Sequence, residues 1–249
     1  MPLVIVFFGI LVLFLLITLF KLNGFISFIL VAIGIGIAQG MQLNNIVKSI
    51  ENGIGNTLGF LVMILGFGAM LGKLVAESGA AQQITNGLIK IFGINYTKLA
   101  VMLTGFIVGI TMFYSVGFVI LVPLVFTVAK ATGLSLIGVG LPMLASLSVT
   151  HGFLPPHPAP SALSVMFDAD IGKTLIYGIL LSIPAILISG PLLTHFLPKV
   201  EAKPLKEFMT TRVFKQDQLP SLFNSLSTAL LPVLLIGFST LFSLLIQTE

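Results

Sequence analysis

Thr150-His-Gly-Phe-Leu-Pro-Pro-His-Pro-Ala-Pro-Ser161 is the stretch that decides how this chain folds. It sets four prolines and two histidines inside an uncharged run from Ala131 to Phe167. Each proline lacks a backbone N–H and pushes the residue before it toward extended geometry, so Leu154, Pro155, His157 and Ala159 all resist the helix. The pattern predicts a helix that stops near His151 and restarts around Ser161, with the Ser161 hydroxyl as its cap. In hydrocarbon an unpaired backbone polar group costs several kcal/mol, so broken backbone at membrane depth survives only inside protein or beside a watery cavity. Transporters place their substrate sites at such breaks.

The surrounding composition makes the membrane reading firm. Apolar residues make up 57% of the 249 and charged residues 8%, against about a quarter charged in soluble domains. The chain reads as an all-α polytopic membrane protein. Its net charge of +4 is spread over short interhelical segments with one cluster in a single loop, a pattern of topology determinants and not of a nucleic-acid surface. Zero cysteines exclude a disulfide framework, a thiolate metal site and a cysteine nucleophile.

Uncharged runs mark the spans: Pro2–Phe20, Leu22–Val47, Asn52–Gly72, Leu99–Ala129, Ala131–Phe167, Thr174–Pro198 and Gln218–Thr248. Pro2–Phe20 lacks a basic leading segment and reads as a first transmembrane helix, not a cleaved signal peptide. A single helix over Leu99–Ala129 would be about 46 Å long, beyond a hydrocarbon core of roughly 30 Å, so a helix pair meeting near Phe113–Gly117 is expected. Between Lys73 and Lys98 the composition turns mixed, with Glu77, Ser78, Gln82, Gln83 and Asn86, which suggests an interfacial or re-entrant element. The charged segment 199–217 reads as a cytoplasmic linker. Counting spans back from it puts Lys130, the 73–98 stretch and Lys21 inside and the N-terminus outside. The expected organisation is a first transmembrane repeat over 1–198 broken at 150–161, the linker at 199–217, and the first span of an incomplete second repeat over 218–249.

Val116-Gly-Phe-Val-Ile-Leu-Val-Pro-Leu-Val-Phe126, Gly140-Leu-Pro-Met143 and Ser148-Val-Thr-His-Gly-Phe-Leu-Pro-Pro-His-Pro-Ala-Pro160 closely resemble the gluconate permease (GntP) family. Asn56-Thr-Leu-Gly-Phe60, Gly68-Ala-Met-Leu-Gly-Lys73, Glu77-Ser-Gly79 and Asp168-Ala-Asp-Ile-Gly172 resemble further family segments in the expected order, so the likeness covers essentially the whole chain. The resemblance implies a bacterial inner-membrane symporter that takes up gluconate or a related sugar acid with protons. It implies an ion-transporter-superfamily-like helical bundle with inverted repeats, broken helices and re-entrant hairpins, of which this chain is mainly the first half. Family members are longer, and many carry an acidic residue where this sequence has Ser115.

A sugar acid needs positive potential at its carboxylate and donors and acceptors along its hydroxyls. A helix start after the broken segment supplies the first without a buried arginine. Thr150, His151, Pro156, His157, Ser161 and Ser164 are the substrate-site candidates, with Tyr114 and Ser115 at the second suspected break. Each hydroxyl has a competing reading, in which it only satisfies backbone groups freed by the prolines. His151 and His157 are also candidates to carry the coupled proton, since imidazole titrates near neutral pH; Glu77, Asp168 and Asp170 are weaker ones. Glu77 also reads as a solvated charge near Lys73, and Asp168 and Asp170 as an interfacial pair closing a membrane segment. His195 reads as interfacial, and Gly66, Gly68, Gly105 and Gly109 as packing positions. No metal and no cofactor beyond the proton gradient is expected. The partners are a gluconate-like anion, protons and the bilayer, with a homo-oligomer left open and no nucleic acid. An alternative is another small hydroxy or amino acid anion, or an inactive half-transporter. No Walker loop points to ATP as a direct energy source, and an intramembrane enzyme using His151 or His157 finds no GxSxG element or zinc motif in this sequence.

Overall fold

A computed structural model of the chain describes residues 1–197 and 214–246. Most of the linker read at 199–217, and the last residues of the final span, lie outside the described residues. The described elements are helical throughout, with no strand among them, as an all-α polytopic membrane protein requires. They divide into two compact units, Met1–Val62 and Met63–Glu249.

The first unit holds α1 (Pro2–Thr18), α2 (Gly24–Ala38) and the beginning of α3 (Leu43–Glu77). Asn23 starts α2 by accepting the N–H groups of Phe25 and Ile26 on its side chain, as an N-cap does. Leu22–Val47 is not one span: the chain turns between Ala38 and Leu43, with Gly40 at φ 75°. A Cβ at Gly36 would meet Ile46 Cγ1 at 2.7 Å, so glycine is what lets the two helices close there. The outer faces of α1 and α2 leave Phe7, Phe14, Phe25 and Phe28 exposed, the all-round apolarity of a helix in lipid.

The second unit begins within α3 and continues through α4 (Ala80–Phe92), α5 (Thr97–Gly109), α6 (Tyr114–Thr132), α7 (Leu136–Phe153), α8 (Pro158–Met166), α9 (Ile171–Leu187), a π turn (Ile188–Leu192), α10 (Leu193–Phe196) and α11 (Leu222–Ile246). Among the described residues four helical stretches are long and apolar enough to cross a membrane, or five if a bent pair counts as one. That pair is Ala80–Phe92 with Ile94–Gly109, bent by 119° at Gly93, so the mixed 73–98 stretch holds a sharp turn. The expected pair within Leu99–Ala129 is α5 and α6, interrupted between Gly109 and Tyr114.

Two boundaries differ from the sequence reading. α7 runs to Phe153 and α8 starts at Pro158, so the break is shorter than His151 to Ser161. Leu154, at φ −108° and ψ 126°, and His157, at φ −63° and ψ 149°, are extended on either side of the Pro155–Pro156 pair. A proline in the first turn of a helix sacrifices an N–H that had no acceptor anyway, so Pro158 and Pro160 open α8 instead of delaying it. Ser161 consequently lies inside α8 and does not cap it; the N-cap position is His157, with no side-chain cap bond.

α5 and α7 form the centre of the unit. Val101, Val108, Met112, Leu121, Val139, Met143 and Leu147 are fully buried in one cluster. A Cβ at Gly105 would run into the Met143 carbonyl, and one at Gly109 into Thr150 Oγ1. Those two glycines do hold helices together, as their spacing suggested. Among the described residues nothing lies within 4 Å of a Cβ built at Gly66 or Gly68, so no close packing is seen at those two. A second cluster gathers Ile110 from the α5–α6 break, Leu154 from the α7–α8 break and Leu175 from α9.

Candidate functional site

The two interruptions meet. The last carbonyls of a helix have no intrahelical donor, and the Gly109 carbonyl at the end of α5 is met by His157 Nε2 at 2.7 Å. On the other side of its ring, His157 Nδ1 lies 3.1 Å from His151 Nδ1, with the ring centroids 4.7 Å apart. A carbonyl only accepts, so His157 Nε2 carries the hydrogen there. His157 Nδ1 then accepts when that ring is neutral, and His151 Nδ1 donates to it. The unengaged ring nitrogen of the pair is His151 Nε2. His157 is 3% exposed, whereas His151 is half-buried and meets the Phe113 ring edge-to-face at 6.4 Å.

This arrangement holds one hydrogen between the two Nδ1 atoms. A proton arriving from the exposed side can sit on His151 Nε2 with every bond kept. Moving it onto His157 requires the hydrogen between the rings to shift. Two histidines six residues apart do not share a helix face, but here the break turns His157 back toward His151.

The hydroxyl candidates separate. Thr150 is fully buried and donates to Leu147 O at 2.9 Å in its own helix. Ser164 donates to Pro160 O at 2.8 Å and lies 3.2 Å from Thr174 Oγ1. Both bonds are local back-bonds to carbonyls three or four residues earlier in the chain. Ser161 is different: its Oγ is buried and without a hydrogen-bond partner, one turn into α8 behind His157. Pro156 is half-buried between the two histidines in sequence and follows a cis peptide bond.

Phe113 also lines a cavity of about 960 Å³, with Gly68, Gly72, Lys73, Gln82 and Ser115 among its walls. The start of α6 opens onto it at Ser115 and Val116. Glu77 also lines it, paired with Lys73 at 3.7 Å in an exposed contact. Tyr114 turns away and stacks on Phe118 at 6.1 Å. The Gln82 amide takes both backbone groups of Phe214, donating at 2.9 Å and accepting at 3.0 Å. Asp170 caps α9 by accepting Lys173 N–H at 2.7 Å, and Asp168 is exposed in the turn before it at φ 51°. Neither reaches the histidines, and His195 stands at the end of α10 beside Phe196. Among the described residues no group of three His, Cys, Asp or Glu side chains could hold a metal.

Sequence reasoning missed the Gly109 carbonyl, Phe113 and Gln82. Gly109 carried a signal, its four-residue spacing from Gly105, but that spacing speaks of packing and not of an acceptor. Phe113 and Gln82 fell in regions the sequence marked, the expected break near Phe113–Gly117 and the mixed 73–98 stretch, but nothing singled out either side chain.

A family model for GntP family permeases matches residues 1–249. The chain belongs to the GntP permease family. This GntP-family chain is 49% identical over 238 residues to a high-affinity gluconate transporter of Escherichia coli (strain K12), with 95% of the chain and 54% of that protein covered. It is 47% identical over 239 residues to the L-idonate transporter of the Gnt-II system of the same organism, covering 96% of the chain and 54% of that protein. With a gluconate permease of Bacillus subtilis (strain 168) it shares 43% over 254 residues, covering 100% of the chain and 57% of that protein. The chain thus spans about half the length of these relatives. No solved structure matches it.

Proposed function

We propose that this GntP-family chain serves proton-coupled uptake of gluconate or a closely related sugar acid across the bacterial inner membrane, as a transporter and not an enzyme. The observation that carries the reading is the hydrogen-bonded line from His151 through His157 to the Gly109 carbonyl, set where two interrupted helices meet. It can take one proton at His151 Nε2, beside the broken backbone that a substrate site uses. Relatives named for gluconate and for L-idonate support a six-carbon polyhydroxy carboxylate as the cargo. The orphaned Ser161 hydroxyl and the start of α8 offer a donor and a positive helix end for such an anion. Thr150, Pro156, Ser164, Tyr114 and Ser115 complete the proposed substrate set, and Glu77, Asp168 and Asp170 remain secondary proton carriers.

The N-terminus is assigned outside and 199–217 inside, from the distribution of Lys and Arg. The chain supplies mainly the first of two inverted repeats in this reading, and its two halves of the site are the breaks at 110–113 and 154–157.

Uptake of labelled gluconate into vesicles bearing this chain, with and without an uncoupler, is the test. Uncoupler-sensitive accumulation is expected, and His157→Ala is expected to abolish it while leaving insertion intact. Normal uptake by that variant removes the histidines from the mechanism. No uptake by a well-inserted wild-type chain means either a half-transporter or a different anion, and the same assay on a full-length version decides which.

A further inference from the structure

A second cavity, of about 490 Å³, sits at the opposite end of α5, roughly 16 Å along the helix from Gly109. Asn95, Tyr96, Lys98, Thr132, Leu187 and Pro191 are among its walls. Lys98 is half-buried there. Its ammonium has three hydrogens to place, and the recorded partner is Thr194 Oγ1 at 3.4 Å, a hydroxyl already donating to Pro191 O at 2.8 Å. Among the described residues no carboxylate lies within 4.0 Å of it. A partly desolvated cation with one long bond to a neutral oxygen calls for an anion.

The walls say which anion. The cavity lies where α5 begins and α6 ends, so it stands at a rim of the helical bundle. Tyr96 is 63% exposed, Ile94 61% and Leu187 43%: an apolar flank with a tyrosine, as found at the headgroup level of a bilayer. A small free anion would meet Lys98 but leave that flank unused. A phospholipid uses both, its phosphodiester on Lys98 and its chains along Ile94 and Leu187. Basic pockets between membrane helices recognise anionic headgroups in this way.

We propose that the Lys98 cavity is a site for the phosphodiester headgroup of an anionic phospholipid. The inference stands apart from the transport reading, since it involves neither histidine.

Native mass spectrometry of the full chain, titrated with phosphatidylglycerol or phosphatidylcholine, tests it. Wild type and K98R are expected to retain phosphatidylglycerol, and K98Q to bind it roughly tenfold more weakly. Equal retention by K98Q overturns the proposal. So does displacement of the lipid from wild type by equimolar inorganic phosphate or gluconate, which would give the cavity to small anions. Leu187→Glu, an exposed wall substitution facing the same cavity, provides a second reading should K98Q fail to insert: it is expected to expel the lipid, and retention overturns the proposal again.

Discussion

The proline-dense interruption at 154–157 and the single-glycine interruption at Gly93 behave in opposite ways. Four prolines leave α7 and α8 within one 31-residue candidate span, Leu136–Met166, while one glycine turns the chain through 119°. Proline ends a hydrogen-bond ladder, and when it falls at the start of the next helix it launches that helix with the φ it already has. Gly93 sits at φ 78° and ψ 167°, a conformation essentially closed to residues with a Cβ. Redirection comes from the dihedral, and loss of a donor alone produces a gap. The proline gap turns His157 back toward His151, where it also reaches the Gly109 carbonyl left open by the other interruption at the end of α5.

The largest effect expected outside the histidines concerns the contact that keeps the two breaks face to face. Gly105→Ala drives a methyl into the Met143 carbonyl and should lower stability by about 3 kcal/mol, read by thermal unfolding in detergent, whereas Gly68→Ala, with open space around it, should leave the melting temperature unchanged or raise it. Next, Gly93→Ala should cost about 2 kcal/mol by straining the bend, and Pro158→Ala less than about 0.5 kcal/mol, because alanine fits a first helical turn nearly as well. If both cost the same, the contrast between bend and break collapses. Smallest in stability is Ser161→Ala, expected to be neutral or stabilising by up to about 1 kcal/mol through removal of an orphaned hydroxyl, yet to weaken gluconate uptake. Unchanged uptake would return Ser161 to the packing of α8.

Much of this was legible in the chain itself. Charge-free runs anticipated α1 and α11 but not α3, which runs through Lys48, Glu51 and Lys73; the length of Leu99–Ala129 forced a break near Phe113, and the mixed 73–98 stretch announced an irregular element. The cap at Ser161 was misplaced because the extended bias before proline was weighed over the welcome proline receives in a first turn. Gly66 and Gly105 look alike as letters, but only tertiary neighbours decide which one has a carbonyl against it. The His157–Gly109 bond was out of reach for a plainer reason: it joins residues 48 apart in sequence through a backbone atom that every residue possesses.

Gly105 lying directly on the Met143 carbonyl has a mechanical consequence. Side chains can swing aside when helices slide, but a main-chain atom resting on another main-chain atom has no such give. α5 and α7 should therefore resist sliding past each other at this point, and are expected to move together and carry both interruptions with them. Any rearrangement that exposes the site to one face of the membrane and then the other has to be taken up at the rims of that pair, by the elements on either side of it.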